Sequence, residues 1–238
     1  MQTLAERGHA PNPLDLELEK KRHPDIVDEE FWSLVPVVWD YTVLSTGALY
    51  NLYSATKYII DARISGDFIE CGVHMGGSVM IVEHILLAGD FDAERRIFAL
   101  DTFSGFVRRN EDFDIDIATG LPVAMPQAKL YDFSKGSIEN MESVGFDRLH
   151  VVKGDVLQTI PDLKIEKIAM LRLDTDTYET TKFELENLYD RVVPGGVVIV
   201  DDYGYTIGCK KAVDDFISTR PVLLQRINRN VRAWVKVT

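Results

Sequence analysis

The sequence predicts an α/β fold: a doubly wound, mostly parallel, Rossmann-like sheet of seven strands that ends in an antiparallel hairpin. Three observations predict it. From Asp67 onward, short runs rich in Val, Ile and Leu alternate with helical patterns, as buried parallel strands and their crossover helices do. These runs stop repeatedly on aspartate, at Asp101, Asp155, Asp174 and Asp201. The chain closes with two β-rich runs, Val222–Ile227 and Val231–Val237, around Asn228-Arg229-Asn230, which is a hairpin signal.

Taken in order, residues 1–24 are polar, carry three prolines and show no sustained period, and are expected to form a mobile arm. Residues 25–238 are expected to form a single domain. Within it, residues 25–65 make a helical cap from two helices, Asp28–Tyr41 and Gly47–Ala62; in the second, Leu49, Leu52, Tyr53, Thr56 and Ile60 recur at helical spacing. Asp67–Val73 reads as the first strand and Gly77–Ala88 as a helix apolar nearly all round, hence buried. Arg96–Leu100 is the second strand. Residues 104–135 have no clean period; a loop of that length in a compact domain is usually a lid or binding segment. A short helix over Ser137–Val144, with Ser137 as its cap, leads to a third strand, Leu149–Lys153. Lys167–Leu173 and Val197–Val200 are strands four and five, and Thr177–Tyr189 is the helix between them. The helix Ile207–Ser218 carries an apolar stripe of Cys209, Ala212, Val213, Phe216 and Ile217.

The bulk numbers bound the function. The chain has 238 residues, 46% of them apolar, enough for a sizeable core. A net charge of -12 disfavours nucleic acid or an anionic membrane as the main partner. The two cysteines, Cys71 and Cys209, have neither disulfide-framework nor zinc spacing, so reduced thiols and a cytoplasmic protein are expected. The polar N-terminus and the absence of a long apolar run predict no signal peptide and no transmembrane span.

Chemistry is expected at the carboxyl ends of the strands, where open α/β sheets bind ligands. One strand-end aspartate is commonly a helix cap; four in succession point to a site. Asp174, Asp201 and Asp202 lie beyond two strands joined by one helix. Uncompensated, three such carboxylates repel one another, so a cation is expected among them. All-oxygen ligation without clustered histidine or cysteine favours a hard ion such as Mg2+. At the first strand–helix junction, Glu70-Cys71-Gly72-Val73-His74-Met75-Gly76-Gly77-Ser78 offers glycines for close approach of a ligand to the backbone. The spacing is not G-x-G-x-x-G, which disfavours a nicotinamide oxidoreductase. Asp101 is placed to accept the hydroxyls of a ribose, and Asp155 is a weaker candidate near an adenine.

Four stretches together resemble the macrocin O-methyltransferase family: GDFIECGVHMGGS, LDTFSGF, LRLDTDTYETT and PGGVVIVDDYGYTIGCKKAVDDF. The resemblance covers roughly Asp67 to the C-terminus. It implies a class I methyltransferase that uses S-adenosylmethionine and Mg2+ to methylate a sugar hydroxyl of a glycoside or nucleotide sugar, in a homodimer or larger assembly. By the same resemblance the metal acids fall on Asp174, Asp201 and Asp202, and a proposed general base on Asp176. The cofactor positions fall on Glu70, Gly72, Gly76 and Asp101, with Ser78 and Asp155 beside them. The chain departs from the family's pattern at His74-Met75, usually Trp-Arg, and at Thr175, usually Gly.

For Asp176, an N-cap of the following helix is the competing role. His74 and Tyr203 are expected to serve the loop and the packing rather than the chemistry. Two other functions fit the same residues. A metal-dependent catechol or phenol O-methyltransferase would use the three acids on a diol, with Phe106, Phe113 and Tyr131 against a planar ring. A protein that binds S-adenosylmethionine without turnover would have little use for intact Asp174, Asp176, Asp201 and Asp202.

Overall fold

The strands are β1 (Asp67–Cys71), β2 (Ile97–Asp101), β3 (Leu149–Lys153), β4 (Ile168–Leu173), β5 (Val192–Val200), β6 (Gln225–Arg226) and β7 (Arg232–Val235). They form one sheet in the order β3-β2-β1-β4-β5-β7-β6. The computed structural model describes residues 13–106, 110–123 and 132–238. Strands β1 to β5 run parallel, β7 pairs antiparallel with β5, and β6 pairs antiparallel with β7. The expected doubly wound sheet with its terminal hairpin is therefore present. Asn228 makes the hairpin turn, its Oδ1 accepting from the Asn230 and Val231 amides at 2.8 and 2.7 Å.

Eight helices are described: α1 (Leu16–Arg22), α2 (Glu29–Val38), α3 (Thr46–Asp61), α4 (Gly77–Gly89), α5 (Ser134–Glu142), α6 (Val156–Thr159), α7 (Tyr178–Leu188) and α8 (Ile207–Ile217). Successive strand residues point to opposite faces, so the sheet separates two cores. Phe68, Met170 and Ile199 pack with α2, α3 and α4 on one side; Ile69, Leu171 and Val198 pack with α7 and α8 on the other. Among the described residues, no helix is long and apolar enough to cross a membrane.

The chain winds outward from β1 to β3 and then returns to the other side of β1 as β4. That reversal opens a crevice at the carboxyl ends of β1 and β4, the position where such sheets bind ligands.

The structure differs from expectation at α1, β5, α5 and the expected lid, and the bonds made there account for each. Residues 13–24 contain a helix, α1, whose first turn is capped by Asp15 (Leu18 N to Asp15 Oδ1, 3.0 Å) and whose Lys20 pairs with Glu29 at 3.1 Å. Residues 1–12 of the expected arm lie outside the described residues. Strand β5 begins at Val192 rather than Val197, because Val192 pairs with Ile168 of β4 and the Gly195 amide donates to Lys236 O at 2.7 Å. Helix α5 starts at Ser134, where Asp132 accepts from the Ser134 amide and hydroxyl at 3.0 and 2.6 Å, so Ser137 lies inside the helix.

In the expected lid, residues 110–123 form a small ordered ribbon with bridges Ile115 to Pro122 and Asp116 to Thr206. It docks on the stretch before α8, through Ile117 N to Tyr205 O and Ile207 N to Ile115 O, both 2.9 Å. Residues 107–109 and 124–131, with Tyr131 among them, lie outside the described residues.

Candidate active site

The loop after β1 is shaped by backbone contacts. Gly72 has φ +84°, and a Cβ there would lie 1.9 Å from Asp174 O. Its lack of a side chain thus lets the ends of β1 and β4 come together. Gly76, at φ +88°, is the N-cap of α4, and a Cβ on it would meet Met141 Cγ at 2.5 Å. Asp101, the last residue of β2, braces this loop: its carboxylate accepts from the amides of Val73 (2.9 Å), His74 (2.8 Å) and Phe103 (2.7 Å). Burial raises the Asp101 pKa, against the pull of those three amides. His74 and Phe103 both hold positive φ, +48° and +52°. Strained backbone of this kind concentrates at functional sites.

Glu70 and Ser78 lie behind the loop. Both are buried, and the Ser78 hydroxyl donates to Glu70 Oε1. The other partner of Glu70 is Arg172, its cross-strand neighbour in the β1–β4 register, with Nη1 to Oε1 at 2.6 Å. Burial raises the Glu70 pKa, and Arg172 opposes that rise. Asp155, beyond β3, caps α6 through the Leu157 amide at 3.0 Å.

Beyond β4 and β5, the ladder continues one step into the acids: the Asp174 amide donates to Cys71 O (2.8 Å) and the Asp201 amide to Leu173 O (2.9 Å). This brings one carboxylate oxygen from each of Asp174, Asp201 and Asp202 within 4.8 Å of one another. Arg172, 1% exposed, also reaches this group, with Nη2 to Asp174 Oδ2 at 2.8 Å and to Asp201 Oδ1 at 2.9 Å. Burial, reinforced by Asp174, still pushes the Asp201 pKa up to about 7.

Asp176 completes the cluster. Its backbone sits at φ +62°, fixed by its own amide donating to Asp202 Oδ2 (3.1 Å) and by the Thr206 hydroxyl donating to its carbonyl (2.7 Å). Burial, then the charge of Asp174, pushes the Asp176 pKa up to about 8. Asp202 is also raised, by burial and then by Asp176. Asp176 is not the cap of α7. Thr177 occupies that position without a capping bond from its side chain, and Asp114 from the 110–123 ribbon accepts the Tyr178 amide at 2.7 Å.

Three residues unremarked in the sequence, Arg172, Asp114 and Glu184, thus join the site. Arg172 and Glu70 carried a readable signal, since a charge inside a two-sided buried strand is almost always paired. Asp114 binds 64 residues away in sequence, with no local signal. Glu184, on α7, is fully buried beneath Asp174; it accepts from the Thr175 hydroxyl at 3.0 Å, and burial pushes its pKa up to about 8. Tyr203 turns away from the cluster, its hydroxyl donating to Asp214 at 2.7 Å. His74 packs edge-on against Phe133.

A doubly wound sheet with this loop and these acids at its switch point is the framework of a class I, S-adenosylmethionine-dependent O-methyltransferase. Comparison with known proteins narrows the class. The chain belongs to the macrocin-O-methyltransferase (TylF) family, whose model matches residues 20–236. Demethyldecarbamoylnovobiocin O-methyltransferase of Streptomyces niveus is 30% identical over 181 residues, 74% of this chain and 67% of the relative. The 8-demethyl-8-(2,3-dimethoxy-alpha-L-rhamnosyl)-tetracenomycin-C 4'-O-methyltransferase of Streptomyces olivaceus is 31% identical over 186 residues, with the same coverage of both chains. The solved structure of the O-methyltransferase NovP superposes with a TM-score of 0.73 at 28% identity, covering 83% of each chain.

Proposed function

We propose that this enzyme transfers the methyl group of S-adenosylmethionine to a sugar hydroxyl of a small-molecule glycoside or nucleotide sugar, with a divalent cation, Mg2+, held by Asp174, Asp201 and Asp202. The observation that carries the reading is the convergence of those three carboxylates within 4.8 Å, with Asp176 against Asp202. The donor set fits a hard cation: every candidate ligand atom is a carboxylate oxygen. Burial first, and the neighbouring carboxylates after it, raise the pKa values of Asp201 and Asp202, even with Arg172 beside Asp201. The acceptor class is supported by the Streptomyces olivaceus relative, whose name describes 4'-O-methylation of a rhamnosyl compound.

When bound, the sulfonium supplies an electrophilic methyl and the cation makes a nearby hydroxyl more acidic. The chain's own residues do the rest. Asp176, held by Asp202 and Thr206, takes the hydroxyl proton. Asp101 and Gly72 set the loop that would hold the cofactor, with Asp101, at the end of β2, as the acid toward the ribose. The 110–123 ribbon, latched by Asp114, covers the acid side of the crevice, and most of the remaining acceleration is positioning. A planar phenolic acceptor is less favoured, because the Phe113 ring is engaged with Tyr178 at 5.0 Å.

The test combines variants with a product screen. Asp174→Asn and Asp202→Asn are each expected to abolish methyl transfer while S-adenosylhomocysteine affinity stays within about twofold, ~0.4 kcal/mol. Turnover retained by either variant in the presence of EDTA sinks the metal assignment. Asp101→Ala is expected to weaken cofactor affinity by about tenfold or more; an unchanged calorimetric affinity removes Asp101 from the ribose. Mass spectrometry of reactions with a panel of glycosides and nucleotide sugars identifies the acceptor.

A further inference from the structure

Arg172 is a buried charge at the switch point, 1% exposed, and its hydrogen bonds divide in a particular way. One arm of the guanidinium, Nη1, takes Glu70 behind the cofactor loop; the other, Nη2, takes one oxygen from each of two acids on neighbouring strands, Asp174 Oδ2 and Asp201 Oδ1. Among the described residues, Asp174 Oδ1 and Asp201 Oδ2 carry no hydrogen bond. We propose that Arg172 is a positioning residue for the cation site: it fixes one oxygen of Asp174 and one of Asp201 so that the opposite oxygens face Asp202 as single-oxygen ligands, and it ties that arrangement to the cofactor loop through Glu70. This inference rests on the metal reading above and assigns a role that the reading does not need.

The physical argument turns on two opposing effects. A guanidinium is planar and rigid, with donors in a fixed fork, so it holds carboxylates in direction as well as distance. The register pair Glu70 to Arg172 sets its base, and the buried core of Phe68, Met170 and Val79 sets its sides. Its positive charge acts the other way, since a cation beside the site repels a second cation. If Arg172 served only to offset the acids, removing it would tighten divalent binding. If it positions them, removing it weakens binding, because two freed carboxylates swing away from a common centre and from each other. The sign of the change separates the two.

The experiment titrates Mn2+ against the full chain, reading free Mn2+ by electron paramagnetic resonance, for wild type, Arg172→Lys and the double variant Arg172→Met with Glu70→Gln. The double variant removes the carboxylate that loss of Arg172 would leave buried and unpaired; Arg172→Lys keeps the charge but loses the fork. Circular dichroism checks the fold of each. Mn2+ affinity is expected to fall about tenfold or more in both variants. In Arg172→Lys, the Mg2+ concentration for half-maximal activity is expected to rise, with most of kcat recovered at saturation. An unchanged or tighter Mn2+ affinity in a variant with native circular dichroism overturns the positioning role. Failure of the wild type itself to bind Mn2+ overturns the metal reading and this inference with it, and is distinguishable from wild-type binding that the variants retain.

Discussion

Glu83 offers a quantitative test of how the core beneath the cofactor loop is built. It sits in the middle of α4, fully buried, and neither carboxylate oxygen meets a hydrogen-bond partner among the described residues. Burial alone pushes its pKa up to about 8 from the ordinary 4.5. Folded and unfolded chains therefore bind different numbers of protons between those values. The folded chain holds the proton and the unfolded chain has released it, so stability falls as pH rises, by about 1.4 kcal/mol for each pH step of one.

The full contribution is present below pH 4.5 and is lost as pH climbs through 8. At pH 7 the loss is about 3 kcal/mol, and above pH 8 it levels near ~5 kcal/mol. Glu83→Gln carries no charge at any pH. It should match the wild type near pH 4.5 and exceed it by about 3 kcal/mol at pH 7, roughly 6–12 °C in Tm for a chain of this size. Urea unfolding at pH 5, 6, 7 and 8 measures the difference between the two proteins, in which all other titrations cancel. A difference that stays constant across that range refutes a buried, unpaired carboxyl at Glu83.

Two other perturbations follow from the contacts around the site. Asp114→Ala strips the acceptor from the Tyr178 and Asn110 amides and should cost about 1–3 kcal/mol, with faster proteolytic cleavage within 110–123; cleavage at the wild-type rate would remove Asp114 as the latch. Gly72→Ala places a methyl 1.9 Å from Asp174 O at φ +84° and should cost more than about 4 kcal/mol, abolishing cofactor binding. A soluble Gly72→Ala protein with a wild-type melting temperature would contradict the close approach of β1 and β4.

The sheet was legible because its signals are local. Val/Ile/Leu runs ending on aspartate mark both the strands and the edge where ligands bind, and Asn228 marks the hairpin. The positions of Asp101, Asp174, Asp201 and Asp202 followed directly. What was not legible depends on partners far apart in sequence. Asp114 caps α7 from the 110–123 ribbon, so the capping role that competed for Asp176 is filled from elsewhere and Asp176 is free to face Asp202. Asp155 shows the converse, a strand-end acid whose visible bond is a helix cap. Arg172 lies between these cases. The reading of β4 as an apolar run passed over a charge that, together with Glu70 on the adjacent buried strand, implied an internal ion pair.

Repulsion among strand-end acids led to the expectation of a cation, and Arg172 sharpens that argument. The guanidinium offsets Glu70 and holds one oxygen each of Asp174 and Asp201. It makes no bond to Asp202 or Asp176, the two acids that lie against each other and whose pKa values are both raised. The two acids that Arg172 does not hold therefore lie together, on the side of the cluster toward Asp114 of the 110–123 ribbon. Burial raises both pKa values; Asp176 raises Asp202 further, while the bond with Asp202 lowers Asp176, so the two carboxyls can share a proton, the ion a base must hold and release. The same asymmetry that leaves Asp202 available to a divalent cation leaves Asp176 available to a proton. Arg172, set by its register with Glu70, marks that division by holding Asp174 and Asp201 and neither of the other two acids.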